Sequence, residues 1–437
     1  MYGHLSLQQS PPISVPARFF LTAPLFGICT ALMLLLGGPE LLASRWSPGM
    51  LAAVHALVLG FFATIMFGAL QQILPVVAGV NINHPKRLAT LVYLLWVPGI
   101  VLLIAGFWSP ANRLFYSAAL LIGCAIMIFA TAILLSVARA ANRNESVAGI
   151  RLAVLSLVIT LLLGLILLLG HTGAVPLWRP ELTNLHLSWG LVGWIVMLVM
   201  AVAWQVVPMF QITPAYPAWL RRSAVPYFLV LLISGSVLIL IEKALELPGL
   251  KILVNALIAT GLSVFALVTL RLQLSSRRMV KDNHRLFWRI SMAELLLAIV
   301  LWLITTVTDN PIIELLTGAV FLFGFAMMVV TGMLIKIIAF LVWLHLQHAR
   351  DRLVKQGIRP RSVPKMNAIV SSRSGTRLLL TLIVAQVTMV LAIIIPAWFS
   401  VFASLSLLVF FSILTQVLAT AIIDHRRIAA KLAFSVN

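Results

Sequence analysis

Three of the nine histidines, His55, His171 and His186, lie at or near the ends of long apolar runs. An imidazole against hydrocarbon must find a partner, so it normally turns into the interior of a helix bundle. Its neutral form is also a ligand for haem iron, copper or zinc. Three such groups at one membrane depth could hold a cofactor. Solvation at the membrane interface is the plainer reading, strongest for His171 beside a loop. His84, His284, His345, His348 and His425 stand among lysines and arginines and read as headgroup-facing, and His4 is in the N-terminal tail.

A second set of polar residues is regularly spaced. One apolar run ends Gln72-Ile-Leu-Pro75, another ends Gln205-Val-Val-Pro208, and a third carries Lys336-Ile-Ile-Ala339. The polar members are 133 and 131 residues apart. A lysine this deep in a membrane needs a carboxylate or must give up its charge. Glu294 lies at a similar depth on the preceding run, so a Glu294–Lys336 contact is expected, as a structural ion pair or a proton relay. Asp309 and Glu314 fall at the other end of the Lys336 run. His55 precedes Gln72 by 17 residues and His186 precedes Gln205 by 19. At about 100° per residue, those two histidines are not on equivalent helix faces.

These residues are carried on an unusually apolar chain. Of its 437 residues 62% are hydrophobic and 10% charged, with mean hydropathy +1.10; a soluble domain carries roughly a quarter charged residues. Apolar stretches long enough to cross a hydrocarbon core of about 30 Å recur throughout. The fold class is all-α, one polytopic transmembrane domain over 1–437. Its twelve helices are expected at 19–42, 50–80, 88–107, 112–138, 149–171, 184–211, 224–242, 250–273, 286–308, 311–345, 376–396 and 398–424. No cleavable signal peptide is expected, because the first run simply begins the bundle. No Gly-rich phosphate loop, Ser/His/Asp arrangement or carboxylate pair at catalytic spacing is visible.

Lysine and arginine give the helices a direction. Twenty-five of the 31 cations fall in the N-terminus, the loops after even helices and the C-terminus; five fall on the other side, and Lys336 lies inside a helix. By the positive-inside rule both termini are cytoplasmic, in a bacterial inner membrane. This bias accounts for the net charge of +20, and no basic face on a folded domain suggests nucleic acid. His55, His171 and His186 are then all periplasmic in depth. Cys29 and Cys124 read as buried core thiols rather than a disulfide or metal pair. Trp96, Trp108, Trp189, Trp194 and Trp204 read as belt or packing residues.

The even spacing of Gln72, Gln205 and Lys336 on helices 2, 6 and 10 implies three four-helix repeats in pseudo-threefold array. Helix 2 also carries a resemblance. The stretch His55-Ala-Leu-Val-Leu-Gly-Phe-Phe-Ala-Thr-Ile-Met-Phe-Gly-Ala-Leu-Gln-Gln-Ile-Leu-Pro75 resembles helix 2 of the haem-copper oxidase subunit I superfamily. It looks closer still to the NnrS family, as do the preceding Pro16-Ala-Arg-Phe-Phe20 and the later Leu-Leu-Trp96 with Gly99. The resemblance implies twelve helices around pseudo-threefold pores lined by helices 2, 6 and 10. It implies haem b bound by His55, with His186 and His171 as a second axial ligand or as ligands to another metal such as copper. The setting it implies is nitric oxide response in denitrifying or nitrosatively stressed bacteria, or respiratory electron transfer with a redox partner or other membrane subunits.

The chain departs from the oxidase pattern. Helix 10 has no histidine at its periplasmic end, helix 7 has no adjacent histidine pair, and Gly190 takes the place of the oxidase tyrosine. Any enzyme activity would be oxidoreductase-like, but oxygen reduction is not expected. A permease or accessory subunit that keeps the fold without a cofactor is the alternative, with Gln72, Gln205 and Lys336 lining a polar path. A purely structural subunit is the third reading.

Overall fold

The computed structural model describes residues 11–109, 111–140, 144–175, 180–245, 248–276, 283–358, 360 and 362–433. Among them there is no strand. Twelve helices are long and apolar enough to cross a membrane, and the chain is a multi-pass membrane protein. They are α1 (Ser14–Leu41), α2 (Pro48–Ala78), α3 (Pro85–Trp108), α4 (Asn112–Ala138), α5 (Glu145–His171), α6 (Pro180–Gln211), α7 (Ala218–Leu245), α8 (Pro248–Leu274), α9 (Asn283–Thr305), α10 (Pro311–Lys355), α11 (Ser372–Ile394) and α12 (Pro396–Ala433). A single helical turn, Met366–Ile369, precedes α11.

Local chemistry sets the starts. Proline opens α2, α3, α6, α8, α10 and α12, where a missing N–H costs nothing. Side chains cap four N-termini: Ser47 accepts from the Met50 amide, Asn144 from Val147, Asn310 from Ile312 and Ser371 from Ser374. The expected ends at 345 for α10 and 424 for α12 fall short, because both helices run on past their apolar stretches. At 45 residues α10 is about 67 Å long, roughly twice what a crossing needs.

Helices α2, α6 and α10 each contain a long π-helical segment: Ala56–Ala63, Ser188–Val196 and Val320–Ala326. Their first residues are 132 apart in both steps. Each segment holds a glycine, Gly60, Gly193 and Gly324, twelve residues before Gln72, Gln205 and Lys336 respectively. π-Helical turns are rare and usually single, and these three recur at one even step along the chain.

The chain divides into two compact units. The first comprises Met1–Val76, Lys281–Ser291 and Leu322–Asn437. Here α1 lies along α12 and on the π segment of α2. A Cβ at Gly60 would fall 2.5 Å from that of Phe26, and Gly68 takes Phe19 and Phe20. Phe61 meets Phe62 and Phe411 edge-on, both with centroids 5.2 Å apart. Helix α11 pairs with α12 through Thr388 and Ser406, 2.8 Å apart. The start of α9 docks on α10: the Ser291 hydroxyl donates to the Phe325 carbonyl in the π segment at 2.9 Å, and Phe287 packs on Gly332.

The second unit comprises Val77–Val280 and Met292–Phe321. Its centre is a seam of small residues between α5 and α6. Gly149 faces Ala201, Ser156 faces Gly193, and Thr160 faces Gly190. Helix α3 packs on α4 through Gly99 and Gly106. Tyr227 on α7 donates to the Leu257 carbonyl on α8 at 2.6 Å, and Trp189 on α6 donates to Ser236 on α7 at 2.9 Å. Arg221 pairs with Glu145 at 2.9 Å.

Two sequence readings change. Cys124 is exposed and Cys29 only partly buried, so neither is a core thiol. An apolar run in a membrane has a lipid face as well as a packed one, and hydropathy does not separate them. Trp96, Trp189, Trp194 and Trp204 are buried packing residues, whereas Trp108 is exposed.

Gly193→Leu should lower thermal stability in detergent by about 1–3 kcal/mol through overpacking, because a Cβ there would lie 2.8 Å from that of Ser156. Gly123→Ala, where nothing lies within 4 Å, should leave the tryptophan-fluorescence melting curve in place.

Candidate functional site

In the first unit, His55 is the last regular α residue before the π segment of α2. Its Nδ1 lies 2.7 Å from the Leu51 carbonyl. A carbonyl can only accept, so Nδ1 carries a proton. In the second unit, His186 stands two residues before the π segment of α6, with Nδ1 3.0 Å from the Thr160 carbonyl of α5. Gly164 makes room for this ring, since a Cβ there would be 3.1 Å from Cε1. A metal-binding imidazole is typically held in this way, its other N–H fixed on a carbonyl. Both histidines therefore fit the role of an axial haem ligand. The bond is also what any imidazole in hydrocarbon needs, so it suits a ligand without requiring one.

His171 is placed differently. It is exposed at the end of α5, with its ring edge-on to Phe107 and Phe115 at 5.3 and 5.2 Å. His186 sits at the level of Gly164, seven residues or roughly 10 Å back along α5. The second unit thus does not bring His171 and His186 together as a ligand pair. Among the described residues, no three His, Cys, Asp or Glu side chains gather where they could hold a metal ion. His55 belongs to the first unit and the other two to the second.

The repeated polar residues are mostly buried. Gln72 is 4% exposed and Lys336 7%, both in the first unit, while Gln205 is half-buried in the second. Glu294 is half-buried on the stretch of α9 that belongs to the second unit, Glu314 is half-buried and Asp309 exposed. Both amide atoms of Gln72, Oε1 of Gln71 and Oγ1 of Thr331 are buried with no hydrogen-bond partner among the described residues. In a membrane interior each such group costs several kcal/mol unless something polar reaches it.

The second unit has a counterpart at the end of α6. Gln211 is 1% exposed, and neither atom of its amide has a hydrogen-bond partner among the described residues. Its carbonyl accepts from Ser276 at 2.6 Å. The next residue, Ile212, is left-handed at φ 53°, a strained conformation for a β-branched side chain. In the link that follows, burial pushes the Tyr216 phenol well up from its ordinary value, against the opposing effect of its 3.0 Å hydrogen bond to Thr269.

One histidine departs from its sequence reading. His284, expected at the headgroups, is 1% exposed, with Nδ1 3.0 Å from the Gly332 carbonyl and its ring 6.4 Å from Trp288. With Ser291 on Phe325, this sets α9 antiparallel to α10, and Lys336 lies one turn beyond Gly332. Neighbouring cations suggested the headgroups, but the spacing of His284, Trp288 and Ser291 is that of one helix face, and that face is the buried one. His84 is exposed, as read, while His345, His348 and His425 are half-buried.

No protein-family model matches the sequence, and no curated protein matches it.

His284→Ala should destabilise the protein by about 2–4 kcal/mol, combining a cavity with a lost hydrogen bond. His84→Ala should stay within about 0.5 kcal/mol. Thermal unfolding of the two variants in one detergent checks the contrast.

Proposed function

We propose that this is a bacterial inner-membrane protein that binds a b-type haem through His55, and that it serves nitric oxide response or respiratory electron transfer. The observation carrying the reading is the His55 ring, oriented by the contact of its Nδ1 with the Leu51 carbonyl beside a π-helical segment. π Segments concentrate at functional sites. The likeness of the α2 stretch to the NnrS and haem-copper oxidase families supports the same residue. In the second unit, His186 is held in the same way by the Thr160 carbonyl.

A bound haem would supply a one-electron centre and an iron that takes diatomic gases. The chain's own residues would fix the ring of the ligand, with Leu51 holding its tautomer. The orientation from cation counts, with both termini cytoplasmic, puts His55 towards the periplasmic face and Gln72 and Lys336 towards the cytoplasmic one.

The buried, unpartnered amide of Gln72 favours a second reading, a permease that keeps the helices without the cofactor. Absorption spectra of the purified protein, oxidised and reduced, separate the two. The haem reading expects a Soret band that is lost or shifted in His55→Ala and kept in His171→Ala. A colourless wild-type protein, expressed with haem in excess, overturns it and leaves the permease.

A further inference from the structure

In the second unit, the far end of α6 forms a polar corner with α8, on the order of 35 Å along the helix from His186. There the link 212–217 is stitched to α8 at both ends. The Ser276 hydroxyl donates to the Gln211 carbonyl at 2.6 Å, and the Tyr216 hydroxyl lies 3.0 Å from that of Thr269. Thr269, Gln273 and Ser276 follow at steps of four and three residues, so they form one stripe of α8. Gln273 stands between the two stitches and, like Thr269, is fully buried. The Tyr216 ring is stacked on Phe265 with centroids 6.3 Å apart. All of these residues belong to the second unit.

Two features of this corner are costly. The Gln211 amide is buried, and neither of its atoms is hydrogen-bonded among the described residues. The next residue, Ile212, is left-handed at φ 53°. The position 133 residues earlier, the step from Gln72 to Gln205, is Gly79, also left-handed at φ 64°. Where α2 ends on the residue that takes this conformation freely, α6 ends on a β-branched one that takes it under strain. Strained backbone and unmet buried polar groups concentrate at functional sites.

The chemistry of the amide selects its ligand. Its NH2 needs an acceptor and its C=O needs a donor. A carboxylate brings acceptors only and an ammonium donors only, so either leaves half of the amide unmet. The α8 stripe carries no charged side chain, and a buried ion without a partner is costly. Burial pushes the Tyr216 phenol well up from its ordinary value, so it too is uncharged. Arg221 donates to the Tyr216 carbonyl at 3.3 Å, but its charge is met by Glu145 at 2.9 Å. We infer that the second unit binds a small uncharged amide, of the urea or primary carboxamide class, at Gln211 beside the link 212–217. The ligand C=O accepts from Nε2 and its N–H donates to Oε1, the paired contact that two amides make. The site uses no part of His55, so it stands with or without a haem.

Nitrogen-15 labelling of the glutamine side chains reads this amide on the full chain in lipid nanodiscs. The Gln211 resonance is the one absent in Gln211→Met and displaced in Ile212→Gly. Acetamide should move it saturably, with a half-point at roughly millimolar concentration, as fits a ligand of few atoms. Acetate and methylammonium, charged molecules of similar size, should each be weaker by about tenfold or more. In Gln211→Met, saturation transfer from the protein to the acetamide methyl group should fall about tenfold. A Gln211 resonance that acetamide does not move, and that cross-relaxes with water alone, means a hydrated amide and overturns the proposal. An equal response to acetate or methylammonium overturns it as well. Should Gln211→Met fail to fold, Ile212→Gly supplies the assignment, since glycine takes the left-handed position freely, and the titration of the unsubstituted chain decides.

Discussion

A backbone in hydrocarbon has no water to fall back on, so every N–H and C=O must be matched from within the protein. That constraint accounts for much of what is particular here. It makes the fold all-helical. It explains why four histidines, His55, His186, His284 and His345, all place Nδ1 on a backbone carbonyl. It also allows π segments, since an i→i+5 ladder still pairs its groups while the helix widens. The Thr64 hydroxyl, at the exit of the first segment, donates to the Leu59 carbonyl five residues back.

The widened segments are also where the preceding helix docks. Phe26 of α1 meets Gly60, Ser156 of α5 meets Gly193, and Ser291 of α9 donates to Phe325. Without a hydrophobic force between helices in lipid, close packing of small residues and local hydrogen bonds hold such pairs together. The α5 stripe of Gly149, Ser156, Thr160 and Gly164 does this for α6, and its Thr160 carbonyl also aims His186. Packing and the placement of a candidate ligand are thus the work of the same few residues.

The sequence made the twelve helices legible, because apolar runs and prolines are written in residue types. Helix ends were read poorly where a helix outlives its apolar run, as α10 and α12 do. The π segments carried no signal at all. Ala56–Ala63 and Val320–Ala326 are apolar throughout, so widening the turn leaves no change of pattern to notice. Burial was misjudged at His284, Cys29 and Cys124 for one reason. Charge and hydropathy locate a residue in depth, whereas the side of the helix it occupies is decided by which neighbour docks there. The site histidines were found by type; their tautomers, and the separation of His171 from His186, needed coordinates.

The 132-residue step has a topological consequence. Four crossings is an even number, so each copy of the motif begins and finishes on the same face of the bilayer. Gaining or losing a whole copy would leave all downstream helices pointing as before, unlike a three- or five-helix motif, whose successive copies must face opposite ways. Growth of such a chain by tandem duplication needs no change in its loop charges.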